Sequence, residues 1–291
     1  MLWYNLELSC QKEKGFEIED FLFDYGASSV SFTYQNNNEE FYELNPDETP
    51  LWELVKINAI FEKKISINDI HKILEKSDYS NLVISSFKDR DWIKSYQKCV
   101  VPMQFGEKIW IIPSWAEHKP NPGDIVIEMD PGQAFGSGSH ETTSLCLEYL
   151  DVARLEDKVI IDYGCGSGIL AIAALKLGAK FCYAFDIDNS AIEVCKKNSD
   201  NNKVEDKIFI GNDKNIELEN ISDFLIANIF SSSLVSLKDR ITSLCKQDSI
   251  LILSGILDNQ VEHVLTAFEK DFELVQNRYR NEWHLLELKK L

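Results

Sequence analysis

Several features that would assign the chain to a specialised class of protein are scarce or absent in its 291 residues. The seven cysteines are scattered without a CxxC pair, which argues against both a disulfide framework and a zinc ribbon. No apolar run approaches the roughly 18 residues of a membrane span, and the first residues lack the basic and apolar regions of a signal peptide. We therefore expect a cytoplasmic protein whose cysteines are mostly buried thiols.

Positive charge is also scarce, since 30 lysines and arginines face 48 aspartates and glutamates, a formal net charge of -18. Such a surface repels nucleic-acid phosphates and anionic membranes, which disfavours both as electrostatic partners. Half of the acidic excess lies in residues 1–50, which carry 11 acids and 2 bases. This segment serves either solubility alone or contact with a basic partner, and both interpretations stay open.

The first part of the chain mixes short strands and helices. We predict strands over 3–8, 30–34 and 83–87, an apolar run over 57–61, and helices over 16–25 and 66–76. The side chains expected on the buried faces of the two helices are Phe16, Phe21, Leu22 and Tyr25, then Ile67, Ile70, Ile73 and Leu74. This mixture predicts a small α+β domain of the ferredoxin-like kind over 1–86, followed by a linker helix over 87–101.

Residues 102–291 show a different rhythm, in which apolar strands alternate with helices. The expected strands are 159–162, 182–186, 208–210, 224–228 and 250–254, and the expected helices are 169–177, 191–201, 234–244 and 261–268. Two last strands, 273–278 and 283–288, suit an antiparallel hairpin. The pattern predicts an α/β, Rossmann-like domain with a doubly wound, mostly parallel sheet and a terminal antiparallel hairpin.

A glycine-rich turn follows the first strand of this domain, directly after Asp162. Gly164, Gly166 and Gly168 are spaced G-x-G-x-G, whereas a dinucleotide fingerprint needs a further glycine where Ile169 stands. Glycines let the backbone approach a ligand closely at the carboxyl end of a strand. Because Asp162 would repel a pyrophosphate, the turn suits a cationic sulfonium with an amino-acid tail better than NAD.

Two acids mark the end of the second strand. Asp186 lies about 20 residues beyond the turn, where an acid is placed to bind both ribose hydroxyls. The alternative is that Asp186 and Asp188 cap the next helix, and for Asp188 that interpretation is the favoured one. The turn, Asp186 and Asn228 at the fourth strand together resemble the class I S-adenosylmethionine-dependent methyltransferases over about residues 155–255.

A second motif precedes the first strand of the predicted parallel sheet and reads DPGQAFGSGSHETT from Asp130 to Thr143. From its residues alone it is a flexible loop, able to form a lid over a ligand, which enters a helix through threonines suited to capping. The motif strongly resembles the DPGxAFGTGTHxTT loop of the PrmA family, whose members methylate large-subunit ribosomal protein eleven. Further similar segments are VPMQFG, IWIIPSW, ANI, SGIL and EW, so the resemblance runs nearly end to end.

The resemblance implies S-adenosyl-L-methionine as cofactor, with S-adenosyl-L-homocysteine as product. It places Thr143, Gly164, Asp186 and Asn228 at the cofactor by direct match, and Phe135 and Gly136 in the loop that closes over it. Gly166 and Asp162 are further cofactor candidates from the glycine-rich turn and the acid directly before it. Two departures are visible. Ser137 and Ser139 replace threonines but keep the hydroxyls, and Phe230-Ser-Ser-Ser replaces a Leu-Ala-Gly-Pro-like continuation on the acceptor side.

The expected reaction is an in-line displacement at the sulfonium by an uncharged amine, which needs no metal. The five histidines are too dispersed to suggest a metal cluster. Asn228 is the predicted catalytic-site residue that positions the amine or cofactor, because its amide adds no negative charge to hold a proton on the amine. Phe230 is a candidate for a cation–π contact with the methylammonium, and a core aromatic on the next helix is its alternative.

We therefore expect a protein N-methyltransferase that acts on lysine side chains, the N-terminal α-amine or both in large-subunit ribosomal protein eleven. The expected substrate is the free protein before ribosome assembly. Residues 1–86 are expected to select this substrate. The alternatives are a methyltransferase of the same fold acting on another protein or a small molecule, and a non-catalytic module that binds S-adenosylmethionine. An RNA methyltransferase fits the core motifs but not the net charge of -18.

Overall fold

The computed structural model describes residues 2–34, 54–74, 77–88, 101–117, 119–130, 140–213 and 216–291. The chain divides into two compact units, Met1–Cys99 and Val100–Leu291. The predicted linker helix over 87–101 lies largely outside the described residues, and its first two positions belong instead to the last strand of the first unit. The polar run over residues 35–40, whose composition predicts a turn, also lies outside them.

The first unit consists of four strands and two helices in the order strand–helix–strand–strand–helix–strand. They are β1 (Leu2–Gln11), α1 (Lys12–Asp24), β2 (Ser29–Tyr34), β3 (Leu54–Phe61), α2 (Ile67–Ile73) and β4 (Tyr79–Lys88). The strands form one antiparallel sheet in the order β2-β3-β1-β4. The predicted strands and helices of this unit are therefore present, with longer strands than the sequence pattern indicated.

The core of this unit corrects two details of the predicted helix faces. The buried side chains of α1 are Ile18 and Leu22, one turn apart, whereas Phe16 is 49% exposed. Phe16 precedes Ile18 by two residues, which places it about 200° around the helix from the buried face. Ile67 is 46% exposed because it is the first residue of α2, while Ile70 is fully buried as expected.

The second unit contains the remaining elements. They are β5 (Met103–Phe105), β6 (Ile109–Ile112), β7 (Ile125–Glu128), α3 (Glu141–Val152), β8 (Val159–Tyr163), α4 (Ile169–Lys176), β9 (Phe181–Phe185), α5 (Asn189–Asn202), β10 (Ile208–Gly211), β11 (Ser222–Asn228), α6 (Ser231–Ser236), α7 (Lys238–Leu244), β12 (Cys245–Leu257), α8 (Val261–Phe268), β13 (Phe272–Arg280) and β14 (Trp283–Lys290).

A seven-stranded sheet in the order β10-β9-β8-β11-β12-β14-β13 organises the second unit. The five strands from β10 to β12 are parallel, and β14 and β13 are antiparallel, which confirms the predicted doubly wound sheet with a terminal hairpin. The chain runs outward from β8 through β9 to β10 and then crosses to β11 on the other side of β8. Strand order reverses there, so the carboxyl ends of β8 and β11 frame a crevice of the kind that binds ligands.

Two features of this unit differ from the sequence-based expectation. A small sheet of β5, β6 and β7 forms ahead of α3, and the turn between β5 and β6 is held by the buried Asp151 of α3, which accepts hydrogen bonds from Glu107 N and Lys108 N at 2.7 and 3.1 Å. The helix expected over 234–244 is two helices, α6 and α7, because the backbone of Leu237 leaves the helical region with φ -95° and ψ 4°.

The six cysteines in the described part of the chain are buried and unpaired, as expected for most of them. Four of them, Cys146, Cys165, Cys182 and Cys195, belong to one cluster of apolar side chains between the sheet and its helices. No helix in the described ranges is long and apolar enough to cross a membrane.

Candidate functional site

A cavity of about 1260 Å³ lies at the carboxyl edge of the parallel sheet, where the strand order reverses. Its wall includes Gly164 and Gly166 from the turn after β8, Asp186 from the end of β9, Asn228 from the end of β11 and Phe230 just beyond. The structure therefore brings together five of the predicted site residues, contributed by three different strands. A pocket built in this way is concave and preformed, as ligand sites generally are.

The glycine-rich turn is fastened to the neighbouring strand by its own backbone. Gly164 N and Cys165 N both donate to the Phe185 carbonyl, at 2.8 and 2.9 Å. Gly164 has φ +78°, and a Cβ atom there would lie 2.3 Å from Cγ2 of Ile229. A second glycine closes on the same residue, since a Cβ on Gly255 would lie 2.4 Å from the Ile229 carbonyl oxygen. Only glycine fits at both positions.

Asp186 is held at the cavity by two backbone hydrogen bonds. Gly166 N donates to its Oδ2 and Asp188 N donates to its Oδ1, each at 2.9 Å. A carboxylate offers about four lone pairs, so both oxygens keep acceptor capacity for the hydroxyls of a ligand. Asp188 instead caps α5, where it accepts from Ser190 N at 2.8 Å and Ser190 Oγ at 2.7 Å. The predicted capping role of Asp188 is confirmed.

Asp162 is buried near the end of β8. Its carboxylate is 1% exposed, lies outside the cavity wall and accepts a hydrogen bond from Ala171 N in the first turn of α4 at 2.9 Å. Burial raises the pKa of Asp162 to about 7, the Ala171 amide counteracts part of that rise, and the charge of Asp186 adds to it. The structure shows Asp162 bonded to the start of α4, directly after the glycine-rich turn, and its contact with a cationic ligand stays a prediction.

Asn228 connects the cavity to the start of α3. Its Nδ2 lies 3.5 Å from Oγ1 of Thr143, which is buried and stands behind the cavity wall. The cap of α3 is His140, whose Nδ1 accepts from Thr142 N at 3.3 Å and lies 2.8 Å from Thr142 Oγ1. The expected threonine cap is therefore replaced by a histidine cap, because the imidazole nitrogen reaches the same backbone donor.

The remaining predicted residues divide into one that the structure places and two that it does not describe. Phe230 lines the cavity and is 62% exposed at the N-terminal end of α6, so its alternative interpretation as a core aromatic is wrong. Phe135 and Gly136 lie outside the described residues, as do Ser137 and Ser139.

Several cavity residues were missed by the sequence analysis. Tyr163 Oη donates to Asp213 Oδ2 at 2.7 Å, and Arg240 Nε donates to the same oxygen at 3.0 Å. On the opposite side, Trp283 lines the cavity in edge-to-face contact with His140, with ring centroids 5.0 Å apart. The one available signal was the position of Asp213 just after the third strand, because strand ends meet at this edge.

The cavity wall is predominantly acidic in the described part of the chain. It contains four carboxylates, from Asp186, Asp213, Glu217 and Glu219, against the single guanidinium of Arg240. This excess of negative charge favours a cationic ligand over an anionic one. No group of three or more His, Cys, Asp and Glu side chains in the described ranges is arranged to hold a metal ion.

The parallel sheet, the glycine turn and the acid at the next strand tip define an α/β methyltransferase. A solved structure of a ribosomal protein L11 methylase from Lactobacillus delbrueckii subsp. bulgaricus matches with a TM-score of 0.60 and 28% identity, covering 66% of this chain and 99% of that one. The family model described as Ribosomal protein L11 methyltransferase (PrmA) matches residues 2–291. The chain therefore belongs to the ribosomal protein L11 methyltransferase family.

Individual relatives cover nearly the whole chain. A protein named Ribosomal protein L11 methyltransferase from Haemophilus influenzae (strain PittEE) is 39% identical over 289 residues, covering 97% of each chain. One of the same name from Legionella pneumophila (strain Corby) is 36% identical over 288 residues, covering 98% of each. The family resemblance inferred from the motifs is thus confirmed, and with it the enzyme class.

The raised pKa of Asp162 predicts a pH dependence of stability. Folding raises this pKa from about 3.9 in an unfolded chain to about 7, so unfolding between those values releases a proton. Stability from this group is therefore present at low pH and falls as pH rises towards 7, by at most about 1.4 kcal/mol per pH unit, with no further change above.

We expect Asp162→Asn to remove this fall, because asparagine can still accept from Ala171 N but does not ionise. Denaturant unfolding midpoints at pH 5, 6, 7 and 8 measure the effect, with Asp206→Asn, at an exposed position, as the control that keeps the wild-type slope. Parallel profiles for wild type and Asp162→Asn would contradict the assignment.

Proposed function

We propose that this chain transfers methyl groups from S-adenosyl-L-methionine to amino groups of ribosomal protein L11. The observation that carries the cofactor assignment is the carboxylate of Asp186, held at the cavity by two backbone N–H groups beside a turn that admits only glycine at Gly164. The family membership carries the choice of acceptor.

The residues present fit the cofactor. Asp186 would accept from the ribose hydroxyls, and the backbone at Gly164 and Gly166 would lie against the amino-acid part, because positive φ at both glycines gives the turn a path that brings its backbone to the cavity. Thr143 would act through Asn228, since it stands behind the cavity wall at 3.5 Å from the amide. Phe135 and Gly136 would belong to the closing loop. When bound, the cofactor supplies an activated methyl group on a sulfonium.

The acceptor amine must lose its proton before it can attack. Burial in a cavity that is dry around the amine lowers an ammonium pKa, because desolvation disfavours the charged form. Asn228 suits this step: its amide oxygen can accept a hydrogen bond from the amine without contributing a charge that would retain the proton. The exposed ring of Phe230 at the cavity rim suits a cation–π contact with the methylated product.

We infer that the first unit is a ferredoxin-like domain that recognises the substrate. Its strand–helix–strand–strand–helix–strand order and sheet order β2-β3-β1-β4 support the ferredoxin-like assignment. We propose that this domain ends with β4 at Lys88, two residues beyond the expected boundary at 86, and that the methyltransferase domain covers 102–291. One face of α1 supports recognition of a basic partner: Glu13, Phe16, Asp20, Phe23 and Asp24 recur at helical spacing, and all five are exposed.

Charge also bears on the state of the substrate. With a net charge of -18, the enzyme is repelled by ribosomal RNA, so we favour ribosomal protein L11 in its free form before assembly. We assign the reaction to the cytoplasm, because the six described cysteines are buried free thiols of the kind kept in reducing compartments.

The cofactor assignment predicts that Asp186→Asn weakens binding of S-adenosyl-L-methionine by about tenfold or more. The variant keeps the shape and one oxygen acceptor but loses the charge-assisted hydrogen bonds to the ribose, each worth about 1.5–3 kcal/mol. Calorimetric titration measures the dissociation constant, with Asp188→Asn as the matched control, since asparagine still caps α5.

Wild-type affinity in folded Asp186→Asn would remove the ribose assignment. The acceptor is checked in the same preparation: mass spectrometry of isolated ribosomal proteins incubated with enzyme and cofactor should show methyl additions on ribosomal protein L11. Methylation of a different protein, or of a small molecule only, would redirect the proposal, and cofactor binding without any methylated product would indicate a non-catalytic module.

The substrate-recognition role predicts that neutralising the exposed acids of α1 raises KM for ribosomal protein L11. The triple variant Glu13→Gln, Asp20→Asn, Asp24→Asn removes three negative charges without altering a buried side chain. We expect a rise of about threefold to tenfold at low salt, shrinking as salt screens the interaction. Steady-state kinetics at two ionic strengths measure it.

The matched control neutralises exposed acids of the second unit, Glu262→Gln and Glu269→Gln. It should leave KM for the protein substrate unchanged, and both variants should bind the cofactor as wild type does. Equal KM values for wild type and the α1 variant at every salt concentration would return the acidic helix to a role in solubility.

A further inference from the structure

One wall of the cavity is a segment with neither helix nor strand, residues 216–219, and all four of its residues line the cavity. Ile216 and Leu218 also pack against the apolar core beneath the sheet, while Glu217 and Glu219 are exposed. Two short-range backbone hydrogen bonds are present, from Ile216 N to the Asp213 carbonyl at 3.1 Å and from Leu218 N to the Ile216 carbonyl at 3.0 Å. Such bonds do not fasten the segment to the rest of the unit, so its position depends on other groups. The question is which group holds this wall in place.

Arg240 on α7 supplies those contacts. Its Nη1 donates to the Leu218 carbonyl at 2.9 Å, and its Nη2 donates to the Ile216 carbonyl at 3.0 Å. Its Nε donates to Asp213 Oδ2 at 3.0 Å, so one planar guanidinium spans three acceptors in fixed directions. The ion pair is mostly shielded, with 27% of the arginine side chain and 16% of the aspartate side chain exposed.

The same aspartate oxygen ties this anchor to the central strand. Tyr163, the last residue of β8, donates its hydroxyl to Asp213 Oδ2 at 2.7 Å, and burial together with Asp213 raises the pKa of Tyr163, which keeps it a donor. Asp213 follows β10 by two residues, and Asp186 N donates to the Gly211 carbonyl at 3.1 Å. The anchored wall therefore continues from the side of the cavity where Asp186 lies.

We propose that Arg240 is a positioning residue for the methyl-transfer reaction: through Asp213 and two backbone carbonyls it preforms the wall against which the nucleoside end of the cofactor docks. The inference rests on the proposed function. Without the anchor, residues 216–219 must be ordered when the cofactor binds, and that ordering cost is subtracted from affinity. The acceptor end, at Asn228 and Phe230, is built by other elements, so the chemical step is spared.

The test compares Arg240→Ala with Arg280→Ala in the full chain, using S-adenosyl-L-methionine and ribosomal protein L11. Arg280 is the matched control because its guanidinium pairs with Glu148 away from the cavity. We expect Arg240→Ala to raise both the dissociation constant and the KM for S-adenosyl-L-methionine by about tenfold or more, with kcat within about threefold of wild type. Arg280→Ala should leave all three unchanged.

Two further variants separate geometry from charge and from folding. Arg240→Lys keeps the positive charge beside Asp213, but a single ammonium cannot span all three acceptors, so its cofactor affinity should stay close to that of Arg240→Ala. Tyr163→Phe removes one hydroxyl and leaves both carbonyl anchors, so a smaller loss of about threefold is expected. These milder variants carry the test if Arg240→Ala does not fold.

Several outcomes overturn the inference. Wild-type cofactor affinity in Arg240→Ala, full recovery in Arg240→Lys, or a loss confined to kcat would each contradict a preformed wall held by the guanidinium. Failure of the wild-type protein to bind S-adenosyl-L-methionine in the same titration would instead overturn the proposed function, which keeps the two results distinguishable.

Discussion

The hydrogen bond from Gly166 N to the Asp186 carboxylate joins the tips of two neighbouring strands, and the cavity depends on that junction. Two further bonds, from Gly164 N and Cys165 N to the Phe185 carbonyl, hold the turn after β8 against the end of β9. The turn can follow this path only because its glycines accept positive φ. One local arrangement thus orients the acid and exposes backbone to a ligand.

Other features of the second unit serve this junction from a distance. The buried Asp162 carboxylate binds the first turn of α4, which begins where the glycine turn ends. Asp188 caps α5 and leaves Asp186 free of that task. The charged side chains of the cavity wall are mostly acidic, as the chain as a whole is, and this sign of charge attracts a cationic methyl donor. These features agree with membership of the ribosomal protein L11 methyltransferase family.

Local spacing was enough to predict the main elements of the sheet and to separate the two acids after β9. The capping role of Asp188 was predictable because a helix cap stands immediately before its helix, whereas Asp186 directly follows the last residue of β9. The pattern did not indicate that Asp162 bonds to α4, because both faces of β8 are buried and sequence does not show which way a side chain near its end points. The strands β5, β6 and β7 have only three or four residues each, too few for a recognisable alternation.

Long-range contacts set the other limit. Asp213 and Arg240 are 27 residues apart, and Tyr163 and Asp213 are 50 apart, so no local pattern reveals that they share one oxygen atom. The interruption between α6 and α7 at Leu237 is of the same kind, because an apolar helical pattern continues across it while the backbone does not. The role of a residue at one strand end can be predicted from local sequence. A set of contacts between residues from three elements, such as Tyr163, Asp213 and Arg240, cannot.

We propose that the cofactor binds where the glycine-rich turn meets Asp186. A crystal structure of the protein with S-adenosyl-L-homocysteine tests it most directly. We expect both ribose hydroxyls to lie within hydrogen-bonding distance of the Asp186 carboxylate. The amino-acid part should lie against the backbone of Gly164 and Gly166, and the nucleobase against residues 216–219. A ligand bound elsewhere, or one whose ribose turns away from Asp186, would contradict it.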